Sequence, residues 1–202
     1  MVGVDAVVER LCALGFEKRS GLVLTLSLDG GSVLGWVGLN KAVRRGQPGE
    51  VLLNPVVGVR HQDVEKVVAD LRGDKFHGYL PPTVSSPLRY LMPADERCDW
   101  VVVGSVDDVV VADDLATAVE RYGFEFMRAA GDLAGLIAAL RVGHGHGHQN
   151  AYRLPVALRL ARGFEEEAGT VERELESLSD RSDPAAEEFR RFAERLRVTA
   201  LG

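Results

Sequence analysis

Apolar positions recur along this chain with two different periods. Val4, Val7, Val8 and Leu11 fall three or four apart, Leu14 continues the stripe and Gly15 follows. That spacing predicts an amphipathic helix ended by glycine. The period then drops to two. In GLVLTLSLDGGSVLGWVGLN, Leu22, Leu24, Leu26 and Leu28 alternate with Val23, Thr25 and Ser27, and Val33, Gly35, Val37 and Leu39 alternate on the return. Between them stands Asp29-Gly30-Gly31, where glycine takes positive φ without a Cβ penalty, so the pattern predicts a β-hairpin. VLLNPVVGVR predicts a third strand, with Pro55 at an edge or a bulge because proline lacks an N–H for a ladder. Val64, Val67, Val68 and Leu71 return to the helical period, and Gly73 closes that helix.

From Lys75 to Pro93 the chain is broken by Pro81, Pro82, Pro87 and Pro93. TVSSPLRYLM predicts a short edge strand and DWVVVG another. A helix is expected to open at Ala112-Asp113-Asp114, carry Leu115, Ala118, Val119 and Tyr122, and stop at Gly123. Its two aspartates would act as caps, since carboxylates favour the positive end of the helix dipole. Asp132 would cap the next helix, with Leu133, Leu136, Ile137 and Leu140 on one face.

Residues 151–199 carry no strand signal and are dense in Glu and Arg. Pro155 is expected in the first turn of a helix reaching Arg162, with Gly163 as its break. FEEEAGTVERELESL predicts a second helix, with Glu165 to Glu167 as a solvated start. Asp183-Pro184 opens a third, with Phe189, Phe192 and Leu196 on one face. The expected fold class is α+β: an antiparallel sheet of about four to six strands with packed helices, followed by an all-helical C-terminal tail. The expected divisions are an α+β domain over 1–142, a Gly/His-rich linker over 143–150 and a three-helix tail over 151–202. Three short helices bury little surface alone, so the tail is expected to pack on the first region or on a partner.

Composition narrows the partners. The chain has 202 residues, 46% hydrophobic and 27% charged, enough for a sizeable core. Its net charge of −6 argues against a general nucleic-acid binder. No apolar run approaches the roughly 20 residues that span a bilayer. The N-terminal segment lacks a basic n-region and reads as a helix instead of a signal peptide. Cys12 and Cys98 are too few for a disulfide framework or a cysteine zinc site. Cys12, one turn beyond Val8, is expected as a buried small hydrophobe. A reducing cytoplasm fits these features.

The candidate chemistry is concentrated in RVGHGHGHQN, where His144, His146 and His148 alternate with glycine. Imidazole is the commonest metal ligand, and three suffice for a weak site. On an extended backbone all three rings face one way. In a helix only His144 and His148 share a face, and each glycine costs about 1 kcal/mol relative to alanine. Glycine flanks leave the rings unfixed, whereas catalytic ligands are held by further hydrogen bonds. HExxH is lacking. The run is therefore expected to be a linker that takes up zinc or nickel adventitiously. Elsewhere, Ser85, Ser86 and Ser105 lack a G-x-S-x-G elbow. Asp107-Asp108 and Asp113-Asp114 lack the ligand spacing of a calcium loop. His61 precedes a helix and is expected to cap it, and His77 falls in a loop. Arg44-Arg45 reads as a solvated loop tip. Trp36 is expected to fill a core, with a small-ligand face around it as the weaker alternative.

The hairpin GLVLTLSLDGGSVLGWVGLN, the proline-broken TVSSPLRYLMP and the pair ADDLATAVERYGFEFM…DLAGLIAALR resemble a broad set of small bacterial α+β proteins of unknown function. Some members of that set act as immunity factors beside toxin or defence genes. The shared patterns are of shape, so the resemblance implies no functional residues. ALRLARGFEEEAGTVEREL resembles one helix pair of a tetratricopeptide-type repeat, in a single copy where arrays need about three. The resulting expectation is a non-enzymatic protein that binds another protein, or itself through the helical tail, with an immunity or defence-associated role implied by the resemblance. The competing expectation is a metal-dependent hydrolase using His144, His146 and His148 with a carboxylate from elsewhere.

Overall fold

Alternation of apolar and polar residues builds the sheet, and the breaks in that alternation mark its limits. The structure is a computed structural model that describes residues 3–43, 49–144 and 149–199. The fold class is α+β, with helices before, between and after the strands. Its elements run α1 (Gly3–Ala13), β1 (Glu17–Lys18), β2 (Val23–Ser27), β3 (Val33–Val43), β4 (Val51–His61) and α2 (Gln62–Arg72). Then come β5 (Val84–Pro87), α3 (Leu88–Leu91), β6 (Trp100–Val102), α4 (Asp108–Ala118) and, after a π-helical turn over Val119–Gly123, α5 (Phe124–Ala129). The chain continues as α6 (Leu133–Arg141), α7 (Asn150–Leu160), α8 (Phe164–Ser177) and α9 (Pro184–Val198). Among the described residues no helix is long and apolar enough to cross a membrane.

The chain forms two compact units. The first comprises Met1–Val59 and Ser85–Ala129, the second Arg60–Val84 and Ala130–Gly202. The six-stranded sheet has the order β1-β2-β3-β4-β5, with β6 also on β4. The expected hairpin is β2 and β3, antiparallel, with Leu24 opposite Val37 and Thr25 opposite Trp36. Gly30 and Gly31 turn it at φ 53° and 101°, and Ser32 Oγ donates to the Asp29 carbonyl at 2.9 Å. β4 is not an edge strand. It pairs with β3, β5 and β6, and Pro55 is buried within it. The β6 ladder covers only Val51–Leu53, so the N–H that proline lacks falls beyond that ladder.

In the first unit α1 packs against α4, burying Val7, Val8 and Leu11. Cys12 departs from expectation: it faces outward. The helix placed at Ala112 begins earlier, at Asp108, so Asp113 and Asp114 sit mid-helix and cap nothing. Asp113 instead pairs with Arg10 at 2.6 Å, and Asp114 accepts from Trp100 Nε1 at 2.8 Å. Gly123 does not stop the helix. The chain passes through it in a π turn, and a Cβ there would lie 3.3 Å from Val57. Trp36 is buried, as expected of core packing.

In the second unit the C-terminal helices surround α7, which touches α2, α6, α8 and α9. α7 starts at Asn150, so Pro155 lies inside it and not in its first turn. Proline withholds one N–H there and leaves the Ala151 carbonyl without its helical donor. Asp183 caps α9 as expected, accepting from Ala185 and Ala186 N–H. Asp132 caps α6, accepting from Gly135 N–H at 2.7 Å. The acidic start of α8 is only partly solvated. Glu167 is buried and takes both Nε and Nη2 of Arg159 at 2.6 Å, and Arg159 Nη1 donates to the carbonyls of Leu196 and Thr199. One guanidinium thus ties α7 to α8 and α9. Phe189, Phe192 and Tyr152 form an aromatic cluster, with ring centroids 5.0–5.7 Å apart.

Candidate functional site

Two features of the described residues stand out, one in each unit. The first is an apolar surface where β6 runs into α4. Val103, Val106, Val109 and Val110 are all exposed, Val106 at 80% and Val110 at 70%. The expected strand DWVVVG runs to Gly104, yet only Trp100–Val102 pair with β4. The reason is Asp108. Its carboxylate is buried and accepts from the N–H groups of Val103, Gly104 and Ser105 at 2.9, 2.7 and 3.1 Å. Those three bonds curl the chain into a turn, with Gly104 at φ 80°, and start the helix. The valines are left outside. The surrounding sequence is acidic: Asp95 to Glu125 holds nine carboxylates and two arginines, and Asp107, Asp113 and Asp114 are exposed.

The second feature is a cavity of about 210 Å³ in the second unit, built from the end of β4, α2, the Lys75–Pro81 segment and the start of α7. Arg60 is the largest fully buried side chain among the described residues. Its Nη1 donates to the Pro81 carbonyl, its Nη2 to the His77 carbonyl and its Nε to Gln62 Oε1 at 3.2 Å. Glu65 stands 3.5 Å from Arg60 Nη1 and 2.8 Å from Arg153 Nε. The Glu65 Oε1 contact is an ion pair without hydrogen-bond alignment, because that atom is buried with no hydrogen-bond donor. Arg153 also donates to the Thr83 carbonyl at 3.1 Å. Burial pushes the Arg60 guanidinium down to about 10; Glu65 opposes that shift and Arg153 adds to it. At the rim Arg72 stacks on Tyr152 at 4.6 Å and pairs with Glu188 at 2.6 Å. Burial, reinforced by Glu188, raises the Tyr152 hydroxyl above its usual range.

Compared with protein families, with curated proteins and with solved structures, the chain matches none.

The histidines separate. His61 occupies the N-cap position of α2 but makes no side-chain cap. Its Nε2 stands 2.8 Å from the Ala130 carbonyl, and burial holds its pKa below the usual value. His77 lies in a loop with its ring edge-on to Tyr79 at 4.5 Å. His144 follows α6, whereas His146 and His148 fall outside the described residues. Among the described residues no group of three His, Cys, Asp or Glu side chains converges as metal ligands do. The Arg44-Arg45 tip also lies outside them. Cys98 is exposed, and its thiol is pushed up to about 11 by burial and by Asp114, which leaves little thiolate at neutral pH.

Sequence reading missed the arginine cavity, although a signal was present. Arg60 ends the apolar run VVGVR, and Arg153 interrupts the buried stripe of Tyr152, Pro155, Val156 and Ala157. A charge on a buried face calls for a buried partner. The partner of Arg153 could not be read, because Glu65 lies 88 residues away, although the same Glu65 follows Arg60 within two helical turns.

Proposed function

We propose that this protein acts by binding another protein, and that its docking face is the valine surface at the start of α4. Four exposed valines within eight residues carry this reading. Isolated apolar residues are normal on surfaces, but contiguous apolar surface with a polar rim marks interaction sites. The rim chooses the partner. Asp107 and Asp114, exposed and next to the valines in sequence, favour a basic segment, and the valines favour one with an apolar face. The occupant is therefore a basic amphipathic segment of another protein. An immunity or defence-associated regulator is the version that the resemblance in the hairpin and proline-broken segments favours.

The test uses the full chain and a labelled lysine-rich amphipathic helical peptide, with an acidic peptide of the same apolar pattern as control. Fluorescence anisotropy is expected to show saturable binding of the basic peptide alone, lost in Val106→Asp/Val110→Asp. Light scattering on the same samples reads self-association. Equal uptake of both peptides, no uptake of either, or a dimer broken by the valine substitutions would each overturn the proposal.

A further inference from the structure

We propose that the arginine cavity of the second unit binds a phosphate group, free or as a small phosphomonoester. The proposal is independent of the valine surface. It rests first on charge. Arg60 and Arg153 are 1% and 2% exposed and share a single carboxylate, Glu65, so one buried guanidinium charge is left over. Arg72 and Lys75 add two cations at the rim, where Asp74 stands 3.3 Å from Arg72 Nε and Glu188 2.6 Å from its Nη2. Buried charge without a counter-charge is costly, and an anion in the cavity would offset that cost.

The donor inventory points the same way. A guanidinium carries five N–H groups. Arg72 commits Nε and one Nη2 hydrogen to Glu188, and its Nη1 has no partner among the described residues. Arg153 commits Nη1 to the Thr83 carbonyl; its Nε meets Glu65 as an ion pair without hydrogen-bond alignment, and its Nη2 reaches Glu65 at 3.4 Å. Planar forks with unused N–H groups match phosphate oxygens and bind them with short, charge-assisted bonds.

Gln149 supplies the remaining observation. It lines the cavity, and its buried Oε1 has no donor among the described residues. A bare carboxylate ligand would have nothing to offer that oxygen. Inorganic phosphate at neutral pH presents both anionic oxygens and an O–H, and a phosphomonoester does so as its monoanion, whose proton has a pKa of about 6. The volume of about 210 Å³ equals roughly seven waters at about 30 Å³ each. That leaves space beside Phe76 and Tyr152 for a short organic group.

The experiment is equilibrium dialysis of the full chain against radiolabelled inorganic phosphate, with glycerol 3-phosphate as competitor and glycerol as neutral control. One phosphate per chain is expected, displaced by glycerol 3-phosphate and not by glycerol. Stronger competition by the ester than by unlabelled phosphate identifies a phosphomonoester as the ligand; equal competition identifies free phosphate. Arg72→Gln is expected to weaken binding about tenfold, the loss of one charge-assisted contact. Lys75→Gln, at an exposed position that spares the fold, is expected to weaken it severalfold. Arg181→Gln, a surface arginine outside the cavity lining, controls for general charge and is expected to change nothing. Absence of saturable phosphate uptake, or affinity unchanged in folded Lys75→Gln, would overturn the proposal.

Discussion

Arg153 on α7 closes on Glu65 of α2 at 2.8 Å, Nε to Oε1, across 88 residues of chain. The same carboxylate faces Arg60, so the three side chains form a buried arrangement with one negative and two positive charges. The asymmetry makes a prediction. Removing one partner of a buried pair costs about 3–5 kcal/mol, because the other charge is left uncompensated. Arg153→Met leaves Glu65 with Arg60 still in place. Glu65→Gln leaves two guanidiniums facing each other with no counter-charge. Urea unfolding is therefore expected to show a larger loss for Glu65→Gln than for Arg153→Met. The reverse order would mean that Arg60 does not share the carboxylate.

His61 gives the chain a pH dependence of known sign. Its ring is buried, its Nε2 stands 2.8 Å from the Ala130 carbonyl, and burial lowers its pKa despite help to the charged form from that carbonyl and from Asp132. The folded state thus binds the proton less readily than the unfolded state does. Between the lowered folded value and the unfolded value of about 6.5, the unfolded chain holds more protons, so stability rises with pH. The His61 contribution is complete above about pH 6.5 and declines as pH falls toward the folded value, below which it levels off. Unfolding of the wild type and of His61→Gln from pH 7.5 to 5 is expected to show a steeper decline in the wild type. Parallel curves would remove His61 as the cause.

The parts of this fold that were legible in the sequence are those set by neighbours in the chain. The hairpin at Asp29-Gly30-Gly31, the cap at Asp132 and the Asp183-Pro184 helix start depend on residues within a few positions. The failures depend on distant partners. Asp113 and Asp114 look like caps until Arg10 and Trp100 arrive from elsewhere in the first unit. Glu167 looks solvated until Arg159 closes on it from α7. DWVVVG reads as a strand to Gly104, but three N–H groups turn toward Asp108 and end it at Val102. The arginine cavity was illegible for the same reason. The valine surface was illegible because periodicity reports which residues are apolar, not which of them find a neighbour.

Asp107 and Asp108 are adjacent acids with opposite situations, and substitution separates them. Asp108 is buried and accepts three backbone N–H bonds; Asp107 is exposed and makes no side-chain cap. Asp108→Ala deprives those donors of their acceptor and is expected to cost about 2–3 kcal/mol. Asp107→Ala is expected to stay within about 0.5 kcal/mol of wild type. Thermal unfolding reads both. The Asp108 variant should also lose the basic amphipathic peptide, since the turn presenting Val103 and Val106 depends on that carboxylate. Retained peptide binding in a destabilised Asp108→Ala protein would show that the valines need no fixed turn.

Two glycines of β3 differ in what a methyl group would meet. Residues two apart on a strand share a face, and the Trp36 ring lies over Gly38. A Cβ at Gly38 would stand 2.3 Å from the ring edge, and one at Gly35 would stand 2.8 Å from Met127 Sδ. The methionine end is flexible and can move aside, whereas Trp36 is buried and opposite Thr25 in the ladder. Gly38→Ala is expected to cost about 1–3 kcal/mol as overpacking and to shift the tryptophan emission as the ring is displaced. Gly35→Ala should cost less and leave the emission in place. The two alanine variants, compared by urea unfolding and fluorescence, test whether the indole ring needs bare backbone beneath it. Equal costs with unchanged emission would mean that it does not.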